Sequence, residues 1–540
     1  MLSSPFKAAF GTVFIRSALV PILALSAIFL ALALPSNFTD LQDGYWLYVL
    51  PGELLLIMLA LSLPRSYRAI YYLIAMLLCA SLFLKIADLG MWRVYARPFN
   101  VLLDGPLLLK GVDLLTGVLG KAWASIIILL ASLALIGLLF LLGLGLLAVQ
   151  RRLQQQAIIW LRLTGAGIIF WLVCAVLGWP GARWPTANFI WLRAQELYAS
   201  WQDLTLFSAQ LTQAPLPVSS STALLEKLKG HDVLVVFVES YGRTLLSHPT
   251  SAEHFGTFLD NQYAQLQQQG YSARSHLLTS STIGGISWLA HATTLSGLWI
   301  NNQARYDLLL KSQYPSLNQL FRQAGWRSVG IMPAITRDWP EGTYYGYDQF
   351  YGAQDLLYKG VAFNWITMPD QYTLYAFEQI ERNKKNRANI FAEIVLVSSH
   401  APWTPTPTVL PWSMLNEPHA FDKMVQEGAS PEWVWQDTQR IRQFYERSIE
   451  YVLGALSAYI QAFGDDHLVV VILGDHQPAP LITEHDGNKD VPIHIISKDQ
   501  QVMEALDQWH WREGLRPALN AAWPMDSLRN RWLEAFSTQH

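Results

Sequence analysis

Hydrophobic positions along this chain change pattern once, near residue 222. Before that point the apolar residues come in long unbroken runs. Five of these are close to the roughly 20 residues that cross a bilayer as a helix: Ala18–Leu34, Tyr45–Leu63, Ala69–Leu84, Ala122–Val149 and Ala157–Trp179. The pattern predicts a bundle of five transmembrane helices over residues 1–179. The first run is read as a retained helix, because no small-residue cleavage site follows it. Two segments, Lys85–Lys121 and Pro180–Gln213, mix Trp, Tyr, Phe and Leu with scattered charges and predict interfacial helices. Ala214–Ser221 (APLPVSSS) reads as a linker, so residues 180–221 form a juxtamembrane segment and 222–540 a separate domain.

Beyond residue 222 short β-branched runs alternate with amphipathic stretches. Asp232–Val238, Ser328–Met332, Ala392–Val397 and Leu468–Leu473 are continuous apolar runs of strand length, the pattern of strands buried on both faces. Phe255–Gln269, Ser316–Ala324 and Trp433–Phe463 are helix candidates, each followed closely by Gly. Alternating strands and helices predict an α/β domain, a parallel sheet covered by helices on both faces.

Charge sets the orientation. Lys7 and Arg16, Arg65 and Arg68, and Arg151 and Arg152 fall on one side of the five spans, whereas the first loop carries Asp40 and Asp43 and no Lys or Arg. Positive loops face the cytoplasm, which places the amino terminus inside and residues 222–540 outside, as a multi-pass protein of a bacterial plasma (inner) membrane with a periplasmic or extracellular domain. Over the whole chain 52% of residues are hydrophobic and 15% charged, which excludes a wholly soluble enzyme and a disordered chain. The net charge of −3 offers no basic excess for nucleic acid. The 22 Trp and 22 Tyr suit a membrane–water boundary. Both cysteines, Cys79 and Cys174, lie within the spans, so the exported part has no disulfide framework.

Chemistry-bearing residues follow three of the predicted strands: Glu239-Ser240, Ser398-Ser399-His400 and Gly474-Asp475-His476. Carboxyl ends of strands are where open α/β sheets build their sites. Asp and His are natural oxygen and nitrogen ligands of a divalent ion. Between the first two lies Leu277–Gly285 (LLTSSTIGG), followed by a helix over Ile286–Leu295. A hydroxyl there would meet the positive end of a helix, which favours a phosphoryl group. On the run alone, a set of capping hydroxyls is the simpler account.

The ordered set Glu239, Thr282 in TIGG, His400 in SSHAPW and Asp475-His476 in LGDHQP resembles the alkaline phosphatase/sulfatase superfamily. More narrowly it resembles the membrane-anchored lipoteichoic acid synthases, phosphoglycerol transferases and phosphoethanolamine transferases. Tyr347-Asp348 in YGYDQFYG is similar to a segment of the lipoteichoic acid synthase branch. The resemblance implies an α/β/α sandwich in which Glu239, Thr282, Asp475 and His476 hold a divalent metal. It implies Thr282 as the phosphorylated nucleophile, within an open register of Thr279–Thr282, and His400 as a phosphate contact or proton shuttle. His485 is a candidate for a second metal or the substrate, and Arg337 or Trp339 for a headgroup contact. His291 reads as structural, and His494 as a strand residue. Gln477-Pro478 departs from the Gly of many relatives and puts a second metal in question. No Cys or Ser stands in a C/S-x-P-x-R context, so the formylglycine of true sulfatases has no precursor. The mixed ligand set suits Zn²⁺ or Mn²⁺ better than Ca²⁺, and Mg²⁺ also fits.

The function implied is transfer of a phospholipid headgroup, phosphoglycerol favoured over phosphoethanolamine, through a phosphothreonine to a glycan or lipid acceptor of the cell envelope. A phosphodiesterase or phosphatase using water is the rival enzyme. A reading from another class is an inactive relative that binds lipid, whose mark would be a missing ligand or nucleophile.

Overall fold

The computed structural model describes residues 20–63, 68–95, 97–213, 222–364, 366–484 and 486–539. The chain divides into two compact units, Met1–Arg93 with Arg97–Asp203, and Leu204–His540 with Val94–Ala96.

The first unit is helical: α1 (Val20–Ala33), α2 (Gly52–Ser62), α3 (Arg68–Tyr95), α4 (Val101–Gln155), α5 (Ala157–Val176) and the start of α6 (Pro185–Gln213). Among the described residues three stretches, not five, are long and apolar enough to cross a membrane: Ile70–Arg93, Leu119–Gln155 and Ala157–Val176. The second expected span is cut short for a local reason. Tyr45–Tyr48 forms a 3₁₀ turn, and Leu50–Pro51 is extended and pairs with Ala182–Arg183, so α2 begins only at Gly52. The first expected span begins outside the described residues, as do Lys7, Arg16 and Arg65. Gly120, at φ +78°, breaks α4 between the segment read as interfacial and the span read from Ala122.

Ile28, Leu32, Leu61, Tyr71, Leu78, Leu142 and Leu146 pack together between α1, α2, α3 and α4. Apolar residues such as Leu141, Ile169 and Val176 stay exposed, as lipid-facing positions would. The buried charges Lys85 and Asp88 inside this unit are paired. Lys85 Nζ donates to the carbonyls of Ala31 and Leu32, and Asp88 meets Arg193 at 2.6 Å. The linker read at Ala214–Ser221 lies outside the described residues.

The second unit is built on one nine-stranded sheet. Its strands in chain order are β1 (Asp232–Val238), β2 (Ser272–Thr279), β3 (Arg327–Ile331), β4 (Gln349–Tyr351), β5 (Ile390–Leu396), β6 (Leu468–Gly474), β7 (Asp490–Ser497), β8 (Arg512–Glu513) and β9 (Trp523–Pro524). Across the sheet they run β8-β2-β7-β6-β1-β5-β3-β4, with β9 beside β2. The block β6-β1-β5-β3-β4 is parallel, as the continuous apolar runs predicted. Every residue of β1, β5 and β6 is buried.

The sheet is mixed rather than wholly parallel. β7 runs antiparallel to both β6 and β2. It follows β6 through residues 475–489, whose described part holds one short helical turn, Pro480–Thr483, rather than the full helix that usually carries a parallel crossover. Because β7 reverses twice, β2 runs parallel to β6 and delivers its carboxyl end to the same edge of the sheet.

Covering helices include α7 (Ala252–Gln268), α8 (Ser287–Ser296), α9 (Leu317–Gln323), α10 (Asp370–Phe377), α11 (Thr438–Phe463) and α12 (Ser527–Phe536). The apolar side of α11, with Ile441, Ile449, Val452, Leu456 and Ile460, joins β1, β5 and β6 in the main core. Gly464, just past its end, is the stop read from the sequence. Thr222–Ala223 pairs with Thr538–Gln539, so the two ends of the unit lie side by side.

Candidate metal and phosphoryl-transfer site

The carboxyl ends of β1, β6, β5 and β2 share one edge, and the chemistry-bearing residues leave from it. Glu239 follows β1, Asp475 and His476 follow β6, His400 follows β5, and the hydroxyl run follows β2. Register brings the acids together: Val238 pairs with Gly474, so Glu239 and Asp475 leave adjacent strands side by side. Gly474 is required there, since a Cβ at this position would collide with the carbonyl of Tyr241. Ser240 takes a left-handed φ of +58°, which costs a non-glycine residue energy and turns the chain sharply after Glu239.

Ligand atoms of Glu239, Asp475 and His476 lie within 4.8 Å of one another, and all three residues are buried. Asp475 Oδ1 accepts from the backbone N–H of Ser240 (2.8 Å) and of His476 (2.6 Å), which fixes the carboxylate. Its Oδ2 is buried and has no hydrogen-bond partner. His476 Nδ1 lies 2.7 Å from the Gln477 carbonyl, which leaves Nε2 facing Glu239 Oε1 at 3.3 Å.

Electrostatics show the strain of this crowding. Burial and the adjacent Glu239 charge push Asp475 up to about 7. Burial also acts to raise Glu239, but His476, His400 and the Ser287 hydroxyl outweigh it and hold this carboxyl well below its usual range. His476 rises to about 9, because the two carboxylates overcome the effect of its burial. Two buried acids with an orphaned oxygen between them form a donor set that a small divalent cation completes. One His nitrogen with carboxylate oxygens fits Zn²⁺ or Mn²⁺.

The hydroxyl that meets this cluster is Ser287, not Thr282. Ser287 Oγ donates to Glu239 Oε2 at 2.9 Å and lies 3.1 Å from His476 Nε2. It is the first residue of α8, preceded by Ile286 in a left-handed conformation (φ +61°), and no side chain caps the helix. A β-branched residue at positive φ is strained, and the sharp bend places Ser287 at the mouth of the helix dipole.

Thr282 is turned away: its Oγ1 donates to the Gly285 carbonyl at 2.8 Å. The rest of the run is likewise used in the fold. Thr279 bonds Asp490, Ser280 bonds the Asp475 carbonyl, and Ser281 bonds Thr293. The sequence points to this helix entrance but to a different hydroxyl from the one that meets the cluster. The missed signal is that Ser287 is the first polar residue after the glycine pair, where a helix begins.

His400 is half-buried at the β5 exit, its Nδ1 2.6 Å from the Ala401 carbonyl. The exit is fixed from below, because Asp370 accepts from the N–H groups of Val397 and Ser398, and Ser399 Oγ donates to the Glu239 carbonyl. Arg337 is exposed in the loop after β3, and Trp339 stacks on Tyr345 near Phe350. Neither contacts the cluster among the described residues. His485 lies outside them. His494 sits in β7, between Tyr241 and Ser275. A second trio, His254, Glu446 and Glu450, lies closer to the surface, away from the strand ends.

No family model matches the chain, and no curated protein does. Solved structures do resemble it. One is the lipoteichoic acid synthase LtaP from Listeria monocytogenes, 15% identical, covering 60% of this chain and 81% of that one with a TM-score of 0.36. A second is the Streptococcus pyogenes phosphoglycerol transferase GacH in complex with sn-glycerol-1-phosphate, 14% identical over 62% of this chain and 90% of that one, TM-score 0.36. A third is the C-terminal periplasmic domain of EcEptC from Escherichia coli in complex with Zn, 14% identical over 60% and 87%, TM-score 0.37.

Proposed function

We propose that this chain is a membrane-anchored, metal-dependent phosphotransferase that moves a phospholipid headgroup, phosphoglycerol in the favoured reading, to a hydroxyl of a cell-envelope glycan or lipid. One observation carries the reading: Ser287 Oγ stands at hydrogen-bond distance from both Glu239 and His476, at the start of a helix, beside the orphaned oxygen of Asp475. Glu239, Asp475 and His476 would hold a divalent ion, Zn²⁺ or Mn²⁺ favoured. When bound it supplies positive charge that acidifies a neighbouring hydroxyl and offsets charge on phosphoryl oxygens.

The remaining chemistry belongs to the protein. Ser287 Oγ, its proton given up to solvent, attacks the phosphorus of the lipid phosphodiester; the O–P bond forms, the bond to the diacylglycerol oxygen breaks, and the serine oxygen leaves again in its ionised form when it is displaced. The amino end of α8 faces the phosphoryl oxygens and stabilises their charge. His400, at the rim, gives the departing oxygen a proton and later takes one from the acceptor hydroxyl. The acceptor then displaces Ser287, so one difficult displacement becomes two easier ones.

The apolar helices anchor the chain in the membrane that supplies the lipid donor, a bacterial inner membrane, with the amino terminus cytoplasmic and residues 222–540 outside. That topology includes α1 and α2 as shorter spans, giving the five-helix arrangement. The SHAPW context around His400 supports glycerol phosphate over ethanolamine phosphate. The test is to mix full-length protein in detergent, loaded with Zn²⁺ or Mn²⁺, with headgroup-labelled phosphatidylglycerol or phosphatidylethanolamine. Label bound to protein and discharged by a glycan acceptor supports transfer. Free headgroup phosphate formed without acceptor makes it a hydrolase, and absence of both label and turnover leaves an inactive lipid-binding relative.

A further inference from the structure

Two tryptophans, Trp433 and Trp435, flank a single anchor. Val434 between them is wholly buried in the main core, whereas Trp433 is 50% exposed and Trp435 44%. Arg440 already lies over the Trp433 ring, 3.7 Å from its centroid. Trp435 is held differently: one face rests on Trp403, with ring centroids 5.7 Å apart and planes within 5° of parallel. Its indole nitrogen donates to the Pro402 carbonyl at 3.3 Å. The ring is thus fixed in place and its only donor is spent. What it offers to solvent is flat apolar surface.

Short links join this ring to the strand-end cluster. Trp403, beneath it, is 3% exposed and donates its indole N–H to the Ser399 carbonyl (2.9 Å) and its backbone N–H to the His400 carbonyl (3.2 Å). Ser399 in turn donates to the Glu239 carbonyl. Pro402 is two residues past His400, so their Cα atoms are at most ~7.6 Å apart. Trp403 also holds a left-handed φ of +64°, a strained conformation for a bulky residue and one that clusters at ligand sites. Thr406 Oγ1 donates to the Trp403 carbonyl (2.8 Å), and from Thr406 the chain forms one wall of an open groove of about 480 Å³. Phe444, Arg447 and Glu450 also line that groove, and Phe444 meets the Trp433 ring edge-on at 6.3 Å.

We propose that Trp435 is the platform for the acceptor: a neutral hexopyranose of a glycan chain lays its C–H face on the exposed indole, and the chain continues into the groove. The inference rests on the transferase reading above and narrows its acceptor from glycan or lipid to glycan. The surroundings select this ligand. An aromatic face is electron-rich and attracts the polarised C–H bonds of a sugar ring, or a cation. Arg440 and Arg447, stacked on the neighbouring Trp433 and Phe444 rings, disfavour a cation. Arg447 and Glu450 are the charges that line the groove, and they cancel. With the Thr408 hydroxyl they supply the donors and acceptors that sugar hydroxyls need. An acyl chain would strip water from these groups and return no hydrogen bonds. The volume also suits a small ligand, whose sites run to roughly 300–1,000 Å³.

The test uses full-length, metal-loaded protein in a detergent without a sugar headgroup. The probes are α- and β-linked hexamers of glucose, galactose, mannose and N-acetylglucosamine. Saturation-transfer NMR reads which ligand protons touch the protein, and titration gives the dissociation constant. One or more hexamers are expected to bind at millimolar concentration or below, with ring C–H protons saturated most strongly. Trp435→Ala is expected to weaken that binding by about tenfold or more, as truncation of a stacked Trp does. Trp435→Phe keeps a smaller flat face and is expected to stay within about threefold of the parent. For each protein the half-saturating concentration of labelled phosphatidylglycerol in phosphoenzyme formation is measured as well.

No binding of any hexamer by the parent overturns the proposal, as does a Trp435→Ala affinity within about twofold of the parent's. Should Trp435→Ala not fold, Trp435→Leu, apolar but not flat, takes its place in the comparison with Trp435→Phe. A variant that binds sugars as the parent does but needs several-fold more phosphatidylglycerol assigns the platform to the donor lipid, which also overturns the proposal. The two readings fail separately, because sugar binding is read without turnover. Binding that Trp435→Ala weakens, in a protein that forms no phosphoenzyme from either labelled lipid, leaves the sugar site standing and removes the transfer reading. A phosphoenzyme discharged by a glycan that Trp435→Ala binds as well as the parent leaves transfer standing and removes the platform.

Discussion

Replacing Ser287 and Thr282 by Ala, one at a time, should give opposite patterns of stability and activity. Thr282→Ala removes one hydrogen bond, the 2.8 Å donation to the Gly285 carbonyl, and one buried methyl group. At ~1 kcal/mol for the bond and ~0.8 kcal/mol for the methyl, the domain should lose about 2 kcal/mol, a fall of a few degrees in melting temperature. Turnover should stay within about threefold, because the Thr282 hydroxyl is bonded to the Gly285 carbonyl rather than to a member of the cluster. Ser287→Ala removes a half-buried hydroxyl whose two partners still face each other at 3.3 Å, so stability should change by no more than about 1 kcal/mol. Its turnover should fall by a factor on the order of 10⁴–10⁶, as loss of a covalent nucleophile does. The assay is label transfer from phosphatidylglycerol to protein, followed by intact-mass and peptide analysis, with a melting curve for each variant. Label on the Ser287 peptide that disappears in Ser287→Ala is the expected result. Label that survives there and disappears in Thr282→Ala would refute the assignment and restore the threonine.

Asp475→Asn should abolish tight metal binding and label transfer together, and a chelator should do the same to the parent protein, read by elemental analysis and the same assay. Gly474→Ala should destabilise the domain by more than about 2 kcal/mol and scatter the Asp475–Glu239 pair, because the added Cβ meets the Tyr241 carbonyl; chemical denaturation and metal content check both effects. His494 sets an acid limit. Burial lowers it to about 3, against ~6.5 in the unfolded chain. Its contribution is therefore complete above pH ~6.5 and lost as pH falls from there toward 3, by up to ~1.4 kcal/mol per pH unit. A His494→Gln variant should show a shallower decline of stability between pH 6 and 4 in equilibrium unfolding, and an unchanged slope would assign the acid sensitivity to other groups.

Much of the architecture was legible because burial writes directly into sequence. β1, β5 and β6 are buried on both faces, and their unbroken apolar runs declare them. The residues after them fall at one sheet edge by topology alone, which is why Glu239, Asp475 and His476 were found without coordinates. β2 was missed because one of its faces is only partly covered, so SARSHLLT alternates and carries polar residues. β7 was not recognised as an antiparallel partner, since its direction depends on the connection that precedes it rather than on its own composition.

The hydroxyl that meets the acids is not the one the sequence suggested, for a conformational reason. Four hydroxyls precede the glycine pair and one follows it, and only the left-handed Ile286 turn decides which of them points at the acids. The approach of His291 and Glu393, 3.8 Å apart, was invisible for a related reason: a glutamate inside an apolar strand and a histidine inside a helix come near each other only through the fold.

Central to this account is one ion gathered by Glu239, Asp475 and His476 against the Ser287 oxygen. The most direct measurement is anomalous scattering at the metal edge from crystals of the full-length protein grown with Zn²⁺ or Mn²⁺. A single strong peak within bonding distance of those three side chains, with Ser287 Oγ as its next oxygen neighbour, is the predicted result. A peak confined to His254, Glu446 and Glu450, or a strand-end cluster that stays metal-free, would contradict it.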